Sequence, residues 1–244
     1  MAANQALICK GCWQTMRVPI ALRGPLSVPF RVVGLRPSRM NPNLCTLCEL
    51  MFTRVMKATK ITIDATIMFA DLRAYTSLSQ SLSATEMGDV LDIFYDECAA
   101  AIWEFDGLLN KTIGDAVMAV FNFPIKQPDH ARQALRAARA LRQRVAARQP
   151  EFAALLGDTK GEIGVGIGIH CGEVSFGEFG RSHRDLTAIG TVVNTAARAQ
   201  SAARPGEILV TEAVHQRAPD DFAGSISKPY DLKGFDRPVA LYAA

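Results

Sequence analysis

The sequence predicts an α+β fold: a ferredoxin-like β-α-β-β-α-β domain with extra strands at its C-terminal end, preceded by a small cysteine-rich module. Three observations carry this. From Ile61 onward, short apolar runs alternate with apolar stripes at three- and four-residue steps, in that element order. Charge divides sharply, with nine Lys or Arg and one acid (Glu49) in residues 1–60, against 18 basic and 23 acidic residues in 61–244. Two C-x-x-C pairs, Cys9-Lys-Gly-Cys12 and Cys45-Thr-Leu-Cys48, fall wholly inside the basic part. These features divide the chain into a module with a linker helix at 1–57 and a larger domain at 58–244.

Composition bounds the class. Of the 244 residues, 49% are hydrophobic and 21% charged, which suits a globular chain with a real core. No run of 18 apolar residues is present, so no transmembrane helix is expected. No basic start precedes an apolar block, so no signal peptide is expected and the protein reads as soluble and cytoplasmic.

In the module, each C-x-x-C pair lets two thiolates reach one tetrahedral ion, and two pairs complete a Cys₄ site. Structural zinc fits; an iron–sulfur cluster uses the same ligands. The alternative is four free thiols in a disordered tail. Pro19, Pro25, Pro29, Pro37 and Pro42 exclude a long helix between the pairs. Such a segment buries little surface and needs a staple. Its basic residues allow contact with nucleic acid or anionic lipid, or form a solvated surface. Glu49–Lys57 has helical spacing and joins the module to the domain.

Ile61–Ala70, rich in Ile and Thr, reads as the first strand, with Asp71 at its exit. Ser83-Ala-Thr-Glu86 is a capping box. It starts a long helix whose apolar face runs from Met87 through Val90, Phe94, Cys98 and Ile102 to Phe105. Asp106-Gly107 ends it. Gly114-Asp115 is the turn of a hairpin, apolar on both faces and so buried. Pro128 fits the first turn of a second helix with a stripe from Ala131 to Val145. Arg132, Arg136, Arg139 and Arg144 lie opposite and read as a solvated face.

Glu162–His170 alternates strictly, with Gly164, Gly166 and Gly168 on one side. That pattern admits close approach by a helix or a second subunit. Cys171-Gly172-Glu173 then turns the chain into Val174–Phe179, and Phe179–Leu186 reads as a loop. His170 and Cys171 read as structural, and His183 has no evident partner. Gly190 opens a short helix stopped by Arg204-Pro205-Gly206. Glu207–Thr211 and Val239–Tyr242 read as strands.

Asp71 and Asp115 both stand at strand ends. Each alone reads as a cap or turn residue. Two carboxylates brought together raise each other's pKa unless a cation neutralises them, and Mg²⁺ suits such a pocket.

The stretches FADLRAYT (Phe69–Thr76), KTIGDAVMA (Lys111–Ala119) and IGTVVNTAAR (Ile189–Arg198) together resemble the catalytic domain of class III nucleotidyl cyclases, a palm-like fold, over Ile61–Tyr242. The resemblance implies an adenylate cyclase that converts ATP to 3′,5′-cyclic AMP and pyrophosphate at a homodimer interface. It implies two Mg²⁺ or Mn²⁺ ions on Asp71 and Asp115, with help from the Leu72 carbonyl, and a phosphate contact from Thr76. Asn194 would orient the ribose, and Arg198 would stabilise charge on the phosphate. Lys111 would donate to adenine N1, with Thr187 at the second base-reading position, as in a bacterial-type subgroup. Arg184 and Lys233 would reach the terminal phosphates. Ala74 and Tyr75 replace the family's usual Gly and Phe. Other readings are a guanylate cyclase, a nucleotide-binding sensor without turnover, and a zinc-dependent nucleic-acid-binding protein.

Overall fold

Two long antiparallel strands form the spine. In the computed structural model, which describes residues 5–73, 82–156, 163–182, 184–222 and 225–244, β1 (Ile61–Arg73) pairs with β4 (Gly164–Phe179) from Ile61↔Phe176 to Arg73↔Gly164. The hairpin of β2 (Leu108–Ile113) and β3 (Ala116–Phe121) adds on the other side of β1, with Asp71 opposite Ala116. β6 (Ile208–Thr211) runs parallel to β4, and β8 (Val239–Ala243) and β7 (Lys228–Tyr230) follow it. The sheet order is β2-β3-β1-β4-β6-β8-β7, with β5 (Asp185–Ile189) on β4.

β1 alternates because each of its faces is covered. Met68, Ala70 and Leu72 enter the core beneath α4 (Ala84–Glu104) and α5 (His130–Ala147). Ala65, Ile67 and Phe69 enter a second core with Met56 of α3 (Thr46–Ala58) and Val192 and Ala196 of α7 (Thr191–Ala202). Asp71 and Arg73 continue this second face. Ser83 caps α4 with the expected box, accepting from the Glu86 N–H while Glu86 accepts from the Ser83 N–H. Short helices α6 (Gln149–Leu156) and α8 (Glu212–Arg217) close the domain. Among the described residues no helix is long and apolar enough to cross a membrane.

Four expectations are corrected. The turn at Cys171-Gly172-Glu173 does not form. β4 runs straight through, because β1 pairs with it from Gly164 to Phe176, Ala65 lying opposite Gly172. Part of the expected loop, from Asp185, is strand β5, which Gly177–Phe179 of β4 templates. The hairpin is buried only on its inner strand: β3 is buried from Val117 to Phe121, whereas β2 is a sheet edge whose Thr112 and Ile113 are exposed. The arginine side of α5 is largely paired rather than simply solvated, with Arg136 exposed as expected. Arg132 and Arg139 meet Asp221, and Arg144 meets Glu97 and Glu104.

The glycines of β4 are explained within one chain. A Cβ on Gly168 would lie 2.0 Å from the Gln200 nitrogen, one on Gly166 would lie 2.3 Å from Arg73 Nε, and one on Gly164 would lie 2.6 Å from Pro205 Cβ. α7 therefore lies directly on the strand, in the space kept open for a helix or a second subunit.

The cysteine-rich module is ordered. α1 (Lys10–Met16) and α3 each begin at a C-x-x-C pair, with Cys9 and Cys45 as N-caps, and α2 (Val28–Val32) lies between. The module solves its shortage of apolar surface by borrowing: Ile125, after β3, is buried among Cys9, Cys12, Ile20, Leu22, Leu44 and Cys45. Basic residues are also spent internally, Lys10 on Asp106 and Arg23 on the Pro42 carbonyl.

Candidate active site

Asp71 lies two residues before the end of β1, within the ladder rather than beyond it, and the β2–β3 turn carries Asp115 beside it. The Leu72 N–H donates to the Asp115 carbonyl at 3.0 Å, which ties the turn to the strand end. Gly114 takes φ +58 to make that turn, a conformation glycine accepts without strain. The hydroxyl of Tyr95 on α4 donates to the Gly114 carbonyl.

The Asp71 carboxyl is half-buried, and Gln200 Nε2 donates to its Oδ2 at 2.8 Å. Arg73 pairs with the same oxygen at 2.9 Å. Burial pushes the Asp71 pKa up, and the Asp115 charge pushes it further, against the opposing pull of Arg73 and Gln200. Arg73 also donates to the Gln200 carbonyl, and its Nε is buried with no hydrogen-bond partner in the structure. Two neighbouring carboxylates, a raised pKa and hard oxygen donors fit a divalent cation of the Mg²⁺ class, which would add to the partial compensation that Arg73 gives.

A second group forms between β2 and β5. Lys111 is ion-paired with Asp185. Thr187 Oγ1 donates to Asn110 Oδ1 at 3.0 Å, and Asn110 Nδ2 donates to the Leu186 carbonyl at 2.9 Å. Lys111 and Thr187, 76 residues apart in sequence, thus share one local network.

α7 presents two faces. Val192, Thr195, Ala196, Ala199 and Gln200 are buried against the sheet. Asn194 and Arg198 are exposed, and among the described residues Arg198 forms no ion pair. Arg184 pairs with Glu178 at 3.3 Å. Lys233 is exposed in the connection from β7 to β8, at the sheet edge opposite β2. The structure therefore joins Asp71, Leu72 and Asp115, and separately Lys111 and Thr187. It turns Asn194 and Arg198 outward. Thr76 and His183 lie outside the described residues. His170 and Cys171 are structural: His170 shares a 2.6 Å hydrogen bond with Thr211, and Cys171 is buried.

Sequence reading missed Gln200, Arg73, Asn110 and Asp185. Gln200 had a signal: it continues the apolar stripe of α7, and a polar side chain on a buried face needs a partner.

The four cysteine sulfurs lie within 4.8 Å of one another, the one such cluster of three or more ligating side chains among the described residues. Cys12 is 3.5 Å from Cys45 and 3.4 Å from Cys48, and Cys9 is 3.6 Å from Cys48. Hydrogen bonds from Cys48 and Cys9 pull the Cys45 pKa down, while Cys48, which donates to Cys45, is pushed up. Burial pushes Cys12 up.

Comparison with known proteins adds the following. The family model for the adenylate and guanylate cyclase catalytic domain matches residues 57–243. An adenylate cyclase of Anabaena cylindrica is 35% identical over 184 residues, covering 72% of this chain and 36% of that protein. An uncharacterised protein of Mycobacterium tuberculosis is 32% identical over 180 residues, covering 72% of this chain and 31% of its own length. The chain therefore spans about a third of the length of these curated relatives. Among solved structures, the adenylyl cyclase CyaB from P. aeruginosa superposes with a TM-score of 0.69 at 30% identity, covering 76% of this chain and 95% of that one. The guanylyl cyclase Cya2 superposes with a TM-score of 0.69 at 26% identity, covering 75% and 92%.

Proposed function

We infer the reaction from one premise: the chain belongs to the adenylate and guanylate cyclase catalytic domain family. It is an adenylate cyclase that converts ATP to 3′,5′-cyclic AMP and pyrophosphate. The observation that carries this reading is the pair Asp71 and Asp115, joined at one strand end through the Leu72 N–H, in a chain that also presents Asn194 and Arg198.

In the reaction the ribose 3′-oxygen attacks the α-phosphorus, the 3′-hydroxyl proton leaves, and the bond to the β-phosphate oxygen breaks. Asp71 and Asp115, with the Leu72 carbonyl as a further ligand, would hold divalent cations of the Mg²⁺ or Mn²⁺ class, which would supply positive charge against the phosphates. Asn194 orients the ribose, and Arg198 forks onto the α-phosphate oxygens as their charge develops. Thr76, Arg184 and Lys233 contact the phosphates.

Lys111 selects adenine. Its ammonium donates to N1, which is an acceptor in adenine and carries hydrogen in guanine. Thr187, held next to it through Asn110, completes the base pocket.

Asn194 and Arg198 face outward, so they serve the site of a second copy. The active unit is a homodimer with two shared sites. Residues 58–244 form the catalytic domain, and 1–57 form a module packed on it whose cysteines suit a structural Zn²⁺. ATP as substrate and six free cysteines fit a cytoplasmic setting.

The test is product formation by the purified chain with ATP or GTP and Mg²⁺ or Mn²⁺. Cyclic AMP as the main product is expected. Cyclic GMP as the main product would establish the guanylate cyclase reading, which the similarity to Cya2 favours. Nucleotide binding without either product would leave a sensor.

A further inference from the structure

The cysteine module grips both ends of the β2–β3 hairpin, the element that carries Lys111 and Asp115. On the side leading into β2, Asn43 Nδ2 donates to Asp106 Oδ1 at 2.7 Å and to the Trp103 carbonyl at 3.2 Å. Lys10 pairs with the same Asp106. The buried Asn41 donates to the Gly107 carbonyl at 2.9 Å, and Trp103 Nε1 donates to the Met40 carbonyl at 3.0 Å. On the side leaving β3, Gln14 exchanges two hydrogen bonds, of 3.0 and 3.1 Å, with the Lys126 backbone. Ile125 is buried against Cys9, Cys12 and Cys45.

The gripping residues are neighbours of the cysteines. Lys10 follows Cys9, Gln14 is two residues after Cys12, and Asn43 is two before Cys45. The Lys10 N–H donates to the Asn43 carbonyl at 2.9 Å, and the Cys45 N–H donates to Cys9 Sγ at 3.2 Å. Asp106 is the left-handed residue (φ +59) that ends α4, with the Gly107 N–H on the Ile102 carbonyl, and its side chain is held from the module. Its holders are Asn43 and Lys10. Their placement depends on the cysteine cluster, because the module's own apolar core is small and includes the cysteines themselves.

We propose that Cys9, Cys12, Cys45 and Cys48 bind one thiolate-preferring divalent cation of the Zn²⁺ class, and that this ion fixes the base of the β2–β3 hairpin, so that metal loading sets turnover at the catalytic site. Zn–S bonds of about 2.3 Å in a tetrahedron place sulfurs about 3.8 Å apart. Three of the six separations are 3.4–3.6 Å and all four sulfurs lie within 4.8 Å of one another, so small adjustments admit the ion. The Cys12 and Cys48 N–H groups, which point at Cys9 and Cys45 Sγ, stabilise the thiolates. With the ion gone, only weak sulfur contacts join the two helix starts at the cluster, and Asp106, Gly107 and Ile125 are held less firmly. A shift of about 1 Å at a catalytic carboxylate is enough to cost on the order of 10²-fold in rate. The link to turnover rests on the cyclase reading; the metal site and the grip do not.

The experiment uses the full chain. Elemental analysis should give about one Zn²⁺ per chain, and Co²⁺ substituted for it should show thiolate-to-metal charge-transfer absorption. Stripping the metal with a chelator should accelerate amide exchange over residues 103–113 and 125–126 and lower turnover, both restored by Zn²⁺. Cys12→Ser should lose the ion. Because that variant can also unfold the module, Asn43→Ala provides the second arm: it should keep the ion and its charge-transfer band, yet exchange fast at 103–113 with or without metal. Absence of metal both after purification and after Zn²⁺ addition overturns the site. In the unaltered chain, metal-independent exchange at 103–113 overturns the grip and leaves the cyclase reading standing. A chain that makes no cyclic nucleotide but shows metal-dependent exchange overturns the cyclase reading and leaves the grip standing.

Discussion

Gln200 donates to Asp71 Oδ2 at 2.8 Å, joining the inward face of α7 to the exit of β1 across 129 residues of sequence. Arg73 occupies the same oxygen at 2.9 Å. Both donors therefore orient Asp71 from the side of its Oδ2. Gln200→Ala should raise the Mg²⁺ or Mn²⁺ concentration for half-maximal activity about 10–100-fold, as loss of a partner behind a metal ligand does. Activity titrated against each metal measures this. An unchanged half-saturation point would show that Gln200 is only packing.

Lys111, the proposed base reader, is ion-paired with Asp185, and the two partners should respond unequally. Lys111→Glu removes a matched donor and should cost ATP turnover about 1–3 kcal/mol while admitting some GTP. The Asp185 side chain is 51% exposed, so the pair itself is screened. Asp185→Asn should move the ATP/GTP preference by no more than about 1 kcal/mol, or roughly fivefold. Ratios of kcat/KM for the two nucleotides decide. An unchanged ratio in Lys111→Glu removes the assignment.

Asn194 and Arg198 point away from their own chain's Asp71, which makes the site a shared one in the proposed dimer. Asp71→Ala and Arg198→Ala should each be nearly inactive alone, since an arginine in this role can contribute on the order of 10³–10⁵ in rate. In a mixed dimer both lesions fall in one site and the other is intact. Co-expression makes about half the dimers mixed, so about a quarter of wild-type activity should return. Differentially tagged mixed dimers without recovered activity would mean that each chain holds a complete site.

Gly168→Ala tests how closely α7 must lie on β4. The added Cβ would come within 2.0 Å of the Gln200 nitrogen and 2.5 Å of the Ala196 carbonyl, both backbone atoms. Overpacking of this kind should cost about 1–3 kcal/mol or more in urea unfolding. It should also lower activity, because the displaced helix carries Asn194, Arg198 and Gln200. Stability and activity both at wild-type level would contradict the observed packing.

His170 sets an acid limit on stability. Burial, aided by the Arg217 charge, pushes its pKa down to about 4. The unfolded chain takes up a proton near pH 6.5, whereas the folded chain waits until about 4. Stability is therefore unaffected above pH 6.5 and falls between 6.5 and 4, by at most about 3 kcal/mol from this group. His130, also lowered by burial, adds in the same direction. Urea midpoints at pH 7 and pH 5 should show the loss, and His170→Gln should reduce the slope. An identical slope in that variant would exclude His170 as its source.

The fold was legible where periodicity is local. The capping box at Ser83, the stripe on α4 and the β-rich run before Asp71 all formed as read. What escaped was set by pairing at long range. Nothing near Cys171 announces that β1 will carry the strand past Gly172, and nothing near Asp185 announces a strand until Gly177–Phe179 supplies its edge. The candidate site divides in the same way. Asp71, Asp115, Lys111, Asn194 and Arg198 stand in recognisable stretches. Gln200, Arg73, Asn110 and Asp185 acquire meaning only from partners such as Asp71, Lys111 and Thr187 that the chain brings in from elsewhere.

The β1–β4 ladder has a consequence for synthesis and folding. β1 meets β4 in register only after roughly ninety intervening residues have been made, so its long edge waits for a late partner. Non-local pairing of this kind is slow, because loop closure must be paid before the contacts reward it. The hairpin and α4 are made during that wait, and so are Asp106, Gly107 and Ile125. The cysteine module, already synthesised, can dock on them before the sheet closes, giving the nascent chain an early anchor beside the strand that is still unpaired.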